Sequence, residues 1–328
     1  MALSLLISVG GASVACGDSG ARPGNVVALI PGLTLAEHDT VLSHWLPLEP
    51  YAPYLLQEGG NARRLARVAN MAVVSPSGAW ITIETSRPDT SADGGFHRDV
   101  ELLDTLGNRF ATFYDVVHAT WSSDGERLAV VRGRYPGEAE VPVTQQVEVW
   151  NLRTGERRAF EQRPYAAEWL GQDSLLLDFY REIRVLDLRT GGSSASSFHA
   201  RIVSPDHQFS LSDDAESDGP RVWDESRGLD ITPELRRLIG GARIRPLPGP
   251  FWVTHPTRGA LLCVPTCLYR GELGPGGGDS ISCWTYLIDV PSRTVLKRIP
   301  GRALAPSANH DSGVFLRNDK VQFVNLTN

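Results

Sequence analysis

The chain has 328 residues, of which 41% are apolar and 21% are charged, and it contains 32 glycines and 22 prolines. This composition excludes a disordered polypeptide, because it has too much apolar side chain, and a coiled coil, because it has too many turn-forming residues. The net charge is −6, and the basic residues are nearly all arginines scattered along the chain. We therefore expect one globular body and no nucleic-acid partner.

The N-terminal segment predicts export. Residues 2–15 form an uncharged apolar stretch, which is too short to span a bilayer as a helix of about 20 residues and is typical of a signal peptide, here residues 1–16. Cys16 follows Ser13-Val14-Ala15, which resembles the lipobox of bacterial lipoproteins. The resemblance implies lipidation at Cys16, a flexible tether over 17–25, and a location in the periplasm or on the outer surface. The alternative is a buried N-terminal segment that carries an ordinary thiol.

Three further cysteines suggest one disulfide and one free thiol in an oxidising compartment. Cys267 and Cys283 lie symmetrically about Pro275 in a Gly-rich turn, so a hairpin centred there would place them on facing strands. Facing residues are close enough for a bridge, and we predict a disulfide between Cys267 and Cys283. Cys263 is then left over, and a zinc site is disfavoured because the paired spacing of zinc ribbons is missing.

A first motif recurs through residues 26–328, which we expect to form a single domain. An apolar residue precedes Asp, Asn or a substitute close to a turn, and the second position recurs at residues 57, 104, 151, 187, 224, 289 and 325. The short Asp or Asn side chain can accept hydrogen bonds from the backbone amides of the turn. Strand-rich repeats of about 45 residues are typical of propeller blades.

A second motif reads as strand, tight turn, strand. Its clearest copy is 119–130, with others at 73–81 and 202–209 and degenerate copies at 168–175, 252–259 and 304–311. The segment 121–130 resembles the repeat of TolB-type, WD-like propellers, whose blades read Trp-Ser-Pro-Asp-Gly before an apolar strand. The resemblance covers residues 70–328 and implies an all-β fold, a β-propeller, for which we expect seven four-stranded blades, with six as the alternative. Trp121, Trp169 and Trp252 precede these turns and indicate packing between blades.

Two segments at the ends of this domain suggest how the ring closes. Val26 to Ile30 is an apolar strand that we expect to complete the last blade beside Lys320 to Leu326, because this would remove an open sheet edge. Residues 54–68 read as a hairpin. Residues 233–239 read as a short helix in a connection between blades.

The expected binding face is the one that carries the loops between the second and third strands of the blades. These loops hold most of the extra residues, at 86–98, 133–146, 213–219 and 271–280. Loop variation on a rigid scaffold favours a binding role for that face. Acidic residues lie in two of these loops, which favours a neutral, basic or cationic partner: Asp213, Asp214, Glu216, Asp218, Glu272 and Asp279.

One of these loops approaches the spacing of a calcium-binding loop. Asp214, Glu216 and Asp218 precede Gly219, and Glu225 stands in the twelfth position. A strand over 220–224 would carry Glu225 away from the turn. A solvated acidic turn is therefore the main interpretation, a partial calcium site on the three acidic residues is the alternative, and no other cofactor is indicated.

No recognisable motif of hydrolytic or phosphate-binding catalysis occurs in the sequence. His118 and His199 lie beside predicted inner strands, and we interpret them as hydrogen-bonded structural residues. We therefore expect an exported, lipid-anchored, non-catalytic binding or scaffolding module of the bacterial cell envelope, which meets the membrane only through its lipid and binds an envelope protein or another neutral to basic ligand. One alternative is a propeller enzyme, a lactonase or a glycan-acting hydrolase, which several acids and a histidine in the central channel would support. The other is a cytoplasmic WD-like scaffold.

Overall fold

The structure is a computed structural model that describes residues 26–29, 53–57, 63–66, 68–88, 96–135, 142–179, 182–212, 220–241, 250–269, 281–306, 312–317 and 320–327. Antiparallel strands dominate these ranges and follow one another as up-and-down meanders. The strands form sheets that we number 1 to 7 in chain order, and within each sheet every strand pairs with its neighbours in the chain.

The first four sheets are built as follows. Sheet 1 contains β1 (Val26–Leu29), β2 (Tyr54–Gln57) and β3 (Arg63–Arg64). Sheet 2 contains β4 (Met71–Val74), β5 (Trp80–Pro88), β6 (Phe96–Asp104) and β7 (Arg109–Phe113). Sheet 3 contains β8 (Val116–Trp121), β9 (Arg127–Arg134), β10 (Val143–Asn151) and β11 (Arg157–Phe160). Sheet 4 contains β12 (Ala166–Trp169), β13 (Ser174–Asp178), β14 (Ile183–Asp187) and β15 (Ser193–Ala195).

The remaining sheets follow the same order. Sheet 5 contains β16 (Ile202–Val203), β17 (Phe209–Leu211), β18 (Val222–Asp224) and β19 (Leu229–Asp230), and the helix α1 (Thr232–Leu238) follows it where a short helix was expected. Sheet 6 contains β20 (Phe251–His255), β21 (Gly259–Tyr269), β22 (Ile281–Asp289) and β23 (Thr294–Pro300). Sheet 7 contains β24 (Arg302–Pro306), β25 (Ser312–Arg317) and β26 (Lys320–Asn325).

The sheets pack face to face in a closed ring. Ile81 of sheet 2 packs with Leu55 of sheet 1, and Phe315 of sheet 7 packs with Leu261 of sheet 6. The strand β1 lies against both β4 of sheet 2 and β24 of sheet 7, so the first and last sheets are neighbours. Successive antiparallel meanders in a ring are the architecture of a β-propeller, and the predicted all-β propeller fold is confirmed.

The number of blades differs from the prediction. Among the residues that the structure describes, five sheets have four strands, whereas sheets 1 and 7 have three each. The prediction of seven four-stranded blades is therefore wrong, as is the alternative of six, because the described residues form five four-stranded blades. The recurring Asp or Asn position marks where a repeat turns, but it carries no information on whether an outer strand follows.

The predicted closure by strands from opposite ends of the domain is also wrong. The strand β1 pairs with β2, while β26 pairs with β25. Ala28 of β1 packs instead with Leu55 and Val74 in the core between sheets 1 and 2. An apolar strand buries more surface at the centre of the ring than at an outer edge, which favours this position. The hairpin expected over 54–68 is present, since β2 pairs with β3.

A buried serine organises the turn of the second sequence motif. The Oγ of Ser122 donates to Asp124 Oδ1 at 2.5 Å and accepts from the backbone N–H of Arg127 at 2.9 Å. Gly125 in this turn has φ of +68°, and a Cβ there would lie 2.3 Å from the backbone nitrogen of Ser77 in sheet 2. The turn therefore requires glycine for its conformation and for contact between sheets. The same pair of serine bonds recurs at Ser204, with Asp206 and Phe209.

The Asp or Asn of the first motif closes the turn that follows it. The Oδ1 of Asp187 accepts from the backbone N–H groups of Arg189 at 2.8 Å and Thr190 at 3.4 Å. The bond from Arg189 is the main reason why the pKa of Asp187 lies below its ordinary value. Such bonds confirm the predicted role and recur at Asp104, Asn151, Asp289 and Asn325.

The tryptophans of the second motif join neighbouring sheets, as predicted. The indole N–H of Trp121 donates to Thr82 Oγ1 of sheet 2 at 3.3 Å, and that of Trp169 donates to the carbonyl of Thr120 in sheet 3 at 3.1 Å. Trp252 in sheet 6 donates to the carbonyl of Ile202 in sheet 5 at 3.3 Å. Each indole therefore ties one sheet to the preceding one, besides filling the space between them.

Replacing the turn serine tests this account of the repeat. We expect Ser122→Ala to lower the free energy of unfolding by about 0.5–1.5 kcal/mol, because Asp124 and the backbone N–H of Arg127 lose their hydrogen bonds to the buried hydroxyl. Ser123 is exposed, and Ser123→Ala should stay within about 0.5 kcal/mol of the unmodified protein. Urea unfolding measures both, and an equal effect of the two substitutions would contradict the assignment.

Candidate functional site

The long loops predicted on one face join the second and third strands of sheets 2, 3, 5 and 6, as expected. Strands β5 and β6 extend further than the sequence suggested, to Pro88 and from Phe96. Because neighbouring strands are antiparallel, the first strand of each sheet begins at the same end of the ring as these loops. We call this end the loop-rich face, and its binding role remains a prediction.

Polar side chains from sheets 2, 3 and 4, and from the connection into sheet 5, approach one another near the loop-rich face. They are linked by ion pairs, a ring contact and electrostatic interactions. Most lie on, or directly beside, strands near the centre of the ring. We call these residues the channel-mouth cluster: Glu84, Arg98, His118, Tyr135, Glu168, Asp178 and Arg201.

Glu168 of β12 is held in its ionised form. Its Oε2 accepts from Thr120 Oγ1 at 2.7 Å, and its Oε1 lies 3.4 Å from His118 Nε2 and 4.0 Å from Arg201 Nε. Burial alone would raise the pKa of Glu168, but the hydrogen bond and charge of His118, the bond from Thr120 and the charge of Arg201 bring it below its ordinary value. Arg201 also lies 3.6 Å from Asp178 Oδ2, which extends the network along sheet 4.

Glu84 of β5 differs from Glu168, because burial outweighs the effect of its neighbours on its pKa. It is 7% exposed, and its Oε1 lies 3.4 Å from Arg98 Nη1. Burial raises the pKa of Glu84 above its ordinary value, although the charge of Arg98, a hydrogen bond from Asn70 and the charge of His118 act to lower it. The guanidinium of Arg98 also lies over the ring of Tyr135, 4.5 Å from the centroid.

His118 of β8 interacts with the carboxyl groups of both Glu168 and Glu84. Its Nε2 faces Glu168, and its charge acts on Glu84 as well. Its Nδ1 is buried and has no hydrogen-bond partner among the residues that the structure describes. Buried polar atoms in proteins are nearly always hydrogen-bonded, so this nitrogen calls for a partner from outside the described chain.

An apolar surface borders the cluster. Met71 and Val73 on β4, the first strand of sheet 2, are 41% and 37% exposed. Met71 stands directly opposite Glu84 in the register of β4 and β5. Small-molecule sites usually combine apolar side chains with a few convergent polar groups.

A second ionic network on the same face positions the strand that carries His118. Arg87 Nε lies 3.0 Å from Asp99 Oδ2, and Arg87 Nη2 lies 3.3 Å from Asp115 Oδ1. His97 Nδ1 is 2.5 Å from the same Asp115 oxygen, and the backbone N–H of Asp115 donates to Asp99 at 3.1 Å. Asp115 immediately precedes β8 and has φ of 55°, so these contacts fix the direction in which β8 leaves sheet 2.

Several residues singled out in the sequence lie outside the described residues. They are Cys16 and the acidic residues Asp214, Glu216 and Asp218, so lipidation and a calcium site remain predictions. Within the ranges that the structure does describe, no group of three or more His, Cys, Asp or Glu side chains is arranged to hold a metal ion. Nor do those ranges contain a helix with the length and apolarity needed to cross a bilayer.

The structure places two cysteines of sheet 6 on facing strands, as predicted. Cys267 of β21 and Cys283 of β22 are directly opposite in register, and Cys283 is disulfide-bonded. The side chain of Cys267 is outside the described part of the chain, so its pairing with Cys283 stays a prediction. Cys263 is buried as a free thiol, and burial raises its pKa.

The channel-mouth cluster was not predicted from the sequence. His118 was interpreted as a structural residue, whereas its Nδ1 lacks a partner in the described chain. The structural interpretation suits His199, which stacks on Trp223 at 4.5 Å and lies 2.8 Å from Glu225. The available signal was Glu168, a charged residue within an otherwise apolar first strand.

Comparisons with known proteins give a likeness of fold only. No protein-family model and no curated protein matches the chain. Hydrazine synthase of Kuenenia stuttgartiensis is 14% identical, with a TM-score of 0.44 over 78% of this chain and 76% of that one. An uncharacterized Listeria monocytogenes protein is 12% identical, with a TM-score of 0.42 over 86% and 89%. The Pan2 WD40 domain of Neurospora crassa is 11% identical, with a TM-score of 0.39 over 79% and 91%.

The carboxyl groups of Glu84 and Glu168 should affect stability with opposite sign. A carboxyl whose pKa is lowered by folding stabilises the protein above its unfolded-state pKa, and this contribution is lost as the pH falls through the folded-state pKa. We therefore expect Glu168→Gln to lower the free energy of unfolding at pH 8 by about 1.5–3 kcal/mol, and by less in acid. Glu84 has a raised pKa, so its contribution is lost as the pH rises, and Glu84→Gln should be at least as stable as the unmodified protein at pH 8. Urea unfolding at pH 5 and pH 8 measures both, and the same sign for both variants at pH 8 would contradict the opposite electrostatic balance of the two groups.

Proposed function

We propose that this protein is an exported β-propeller binding module that holds a small polar ligand at the channel-mouth cluster. The observation that carries the proposal is the buried Nδ1 of His118, which has no hydrogen-bond partner in the described chain while Nε2 faces Glu168. Structural histidines usually bond through both ring nitrogens or expose one to water. A ligand that reaches the loop-rich face would supply the missing bond.

The composition of the cluster supports a ligand site over a structural ion-pair network. It combines a buried carboxyl with a raised pKa, an ionised carboxyl and a histidine that interacts with both. Groups with perturbed pKa values are found preferentially at functional sites. The exposed Met71 and Val73 add the apolar contact surface that small-molecule sites usually contain.

The proposal places this module in the cell envelope, with a partner or ligand that is neutral to basic. Its basis is the apolar stretch 2–15, the lipobox-like Ser13-Val14-Ala15-Cys16 and the TolB-type repeat at 121–130. A lipid at Cys16 would attach the propeller to a membrane through the tether at 17–25 and leave the loop-rich face free to bind.

A second candidate function is hydrolysis of a glycosidic or lactone bond at the same site. The specific observation in its favour is that the pKa of Glu84 is raised while that of Glu168 is lowered. Two carboxyl groups with pKa values moved apart can act as a proton donor and as an ionised partner. The binding module is preferred because Glu168 already holds bonds from Thr120 and His118 and the charge of Arg201, which make it a weak base.

Lipidation is tested on the full chain expressed in bacteria. We expect radiolabelled palmitate to be incorporated into the unmodified protein and not into Cys16→Ala, because the acylated cysteine is then missing. Cys263→Ala is the matched control and should keep its label. Equal labelling of the unmodified protein and Cys16→Ala would contradict the lipid anchor.

Ligand binding is tested by NMR on protein labelled at histidine. We expect at least one of n-butylamine, 1-butanol, butyrate, methyl glucoside and γ-butyrolactone to shift the His118 imidazole signals saturably, with His118→Gln used for their assignment. The signals of His199 should stay in place, because Trp223 and Glu225 hold that ring. Glu168→Gln should weaken the response, and Glu156→Gln, in an exposed turn, should not.

The same spectra separate the remaining outcomes. If no probe moves the His118 signals, the proposed site is wrong. Cleavage of the glucoside or the lactone that disappears in Glu84→Gln would support the enzyme in place of the binding module.

A further inference from the structure

We propose that the ligand of the channel-mouth cluster is neutral and binds through a hydroxyl group, which forms a hydrogen bond with Nδ1 of His118 while the carbon part of the ligand lies against Met71. This inference rests on the proposed function, because it requires that the site bind a ligand. It adds the chemical class of the ligand.

The ring of His118 sets the first requirement. Its Nδ1 is buried and has no hydrogen-bond partner among the residues that the structure describes, whereas its Nε2 lies 3.4 Å from Glu168 Oε1. Glu168 is held in its ionised form, and a carboxylate only accepts, so the ring hydrogen at this contact is on Nε2. Nδ1 is therefore an acceptor when the ring is neutral and a donor when the ring is charged.

A hydroxyl group suits Nδ1 in both states of the ring. It has one donor hydrogen and two acceptor lone pairs, so it accepts from the charged ring and donates to the neutral ring. An ammonium ion has donors only and a carboxylate has acceptors only, so each of them suits one state of the ring. The choice of a hydroxyl therefore does not depend on the charge of His118.

The surroundings of this nitrogen disfavour ionic ligands. The charge of His118 acts on both Glu168 and Glu84, so the two carboxyl groups lie within electrostatic range of the ring. An anion bonded to Nδ1 would be repelled by the negative charge of Glu168. A cation would require the charged ring to give up the hydrogen on Nδ1, and with it the charge that attracts Glu168. A neutral hydroxyl incurs neither cost.

The apolar surface beside the cluster indicates that the hydroxyl is attached to carbon. Glu84, on which the charge of His118 acts, stands opposite Met71 in the register of β4 and β5. Met71 and Val73 are exposed, and residues two apart on a strand lie on the same side of it. Carbon atoms next to the hydroxyl would cover these side chains and remove apolar surface from water.

The experiment follows the methyl group of Met71, because this signal remains when His118 is replaced. The chain has two methionines, so labelling their methyl groups gives at most two signals, and Met71→Leu assigns them. The probes are 1-butanol, methyl glucoside, n-butylamine and butyrate, titrated into the full chain at pH 7, where the amine and the carboxylate are both charged. We expect at least one hydroxyl probe to bind about tenfold more tightly than n-butylamine and butyrate.

Two substitutions of His118 test which ring nitrogen holds the hydroxyl. The side-chain amide of asparagine lies at about the position of Nδ1, and that of glutamine at about the position of Nε2. An amide both donates and accepts, so His118→Asn should bind the hydroxyl probe within about threefold of the unmodified protein, while His118→Gln should bind it about tenfold more weakly. His207→Gln, in an exposed turn, is the matched control and should bind as the unmodified protein does. Urea unfolding verifies that each variant is folded.

The outcomes separate this inference from the proposed function. If n-butylamine or butyrate binds at least as tightly as the hydroxyl probes, the neutral hydroxyl is wrong while the site stands. If folded His118→Gln keeps full affinity, or folded His118→Asn loses as much as His118→Gln, the placement at Nδ1 is wrong. If no probe shifts the signals of Met71 or His118, both proposals fail. Tighter binding of methyl glucoside than of 1-butanol would identify the source as a sugar, and the reverse order would identify a simple alcohol.

Discussion

Every sheet of this protein has two faces and can bury both only between neighbouring sheets. Ile81 and Ile83 of sheet 2 pack towards sheet 1, while Val100 and Leu102 of the same sheet pack towards sheet 3. The indole bonds of Trp121, Trp169 and Trp252 recur because each crosses one such contact. The ring closes through β1 and β24 for the same reason, since an uncovered face on sheet 1 or sheet 7 would leave apolar surface in water. This constraint holds β8 next to β12 and to β6 of sheet 2, and the channel-mouth cluster depends on their proximity.

The buried carboxyl groups of the ring are of two kinds. They differ in how far neighbouring cations and hydrogen bonds offset the cost of burying the negative charge. Glu148 of β10 has a side chain only 1% exposed, yet Arg157 lies 2.7 Å from it, Arg132 lies 3.3 Å from it and Gln146 donates at 2.7 Å. Burial alone would raise the pKa of Glu148, and these partners bring it below its ordinary value. Glu84 is buried to a similar degree, but its partners do not outweigh burial. A buried carboxyl that lacks full compensation costs stability, and such a cost is more readily explained by a ligand than by the fold.

The sequence was informative where a feature is local and uninformative where it depends on which strands are neighbours. The turn at Ser122 and Asp124, the Asp187 turn and the helix α1 follow from residue types at short spacing, and all were predicted. The strand count of sheets 1 and 7 was not predicted, because a repeat motif marks the turns of a blade and gives no sign of its outer strand. The channel-mouth cluster was missed because Glu84, His118 and Glu168 lie far apart in the chain and belong to no common motif. Aligning the repeats on Trp121 and Trp169 places Thr120 and Glu168 at equivalent positions, and a glutamate there is the one local sign of the site.

Two arginines of the protein pair with carboxyl groups of the channel-mouth cluster. The guanidinium of Arg98 lies 3.4 Å from Glu84 and 4.5 Å from the centroid of the Tyr135 ring, which is a cation held by a carboxylate and an aromatic face. Arg201 lies between two carboxylates, 4.0 Å from Glu168 and 3.6 Å from Asp178. Burial still dominates the pKa of Glu84 with Arg98 in place, and His118 Nδ1 still has no partner in the described chain. Burial therefore outweighs the neighbouring cations at Glu84, the carboxyl that stands opposite the exposed Met71 in the register of β4 and β5.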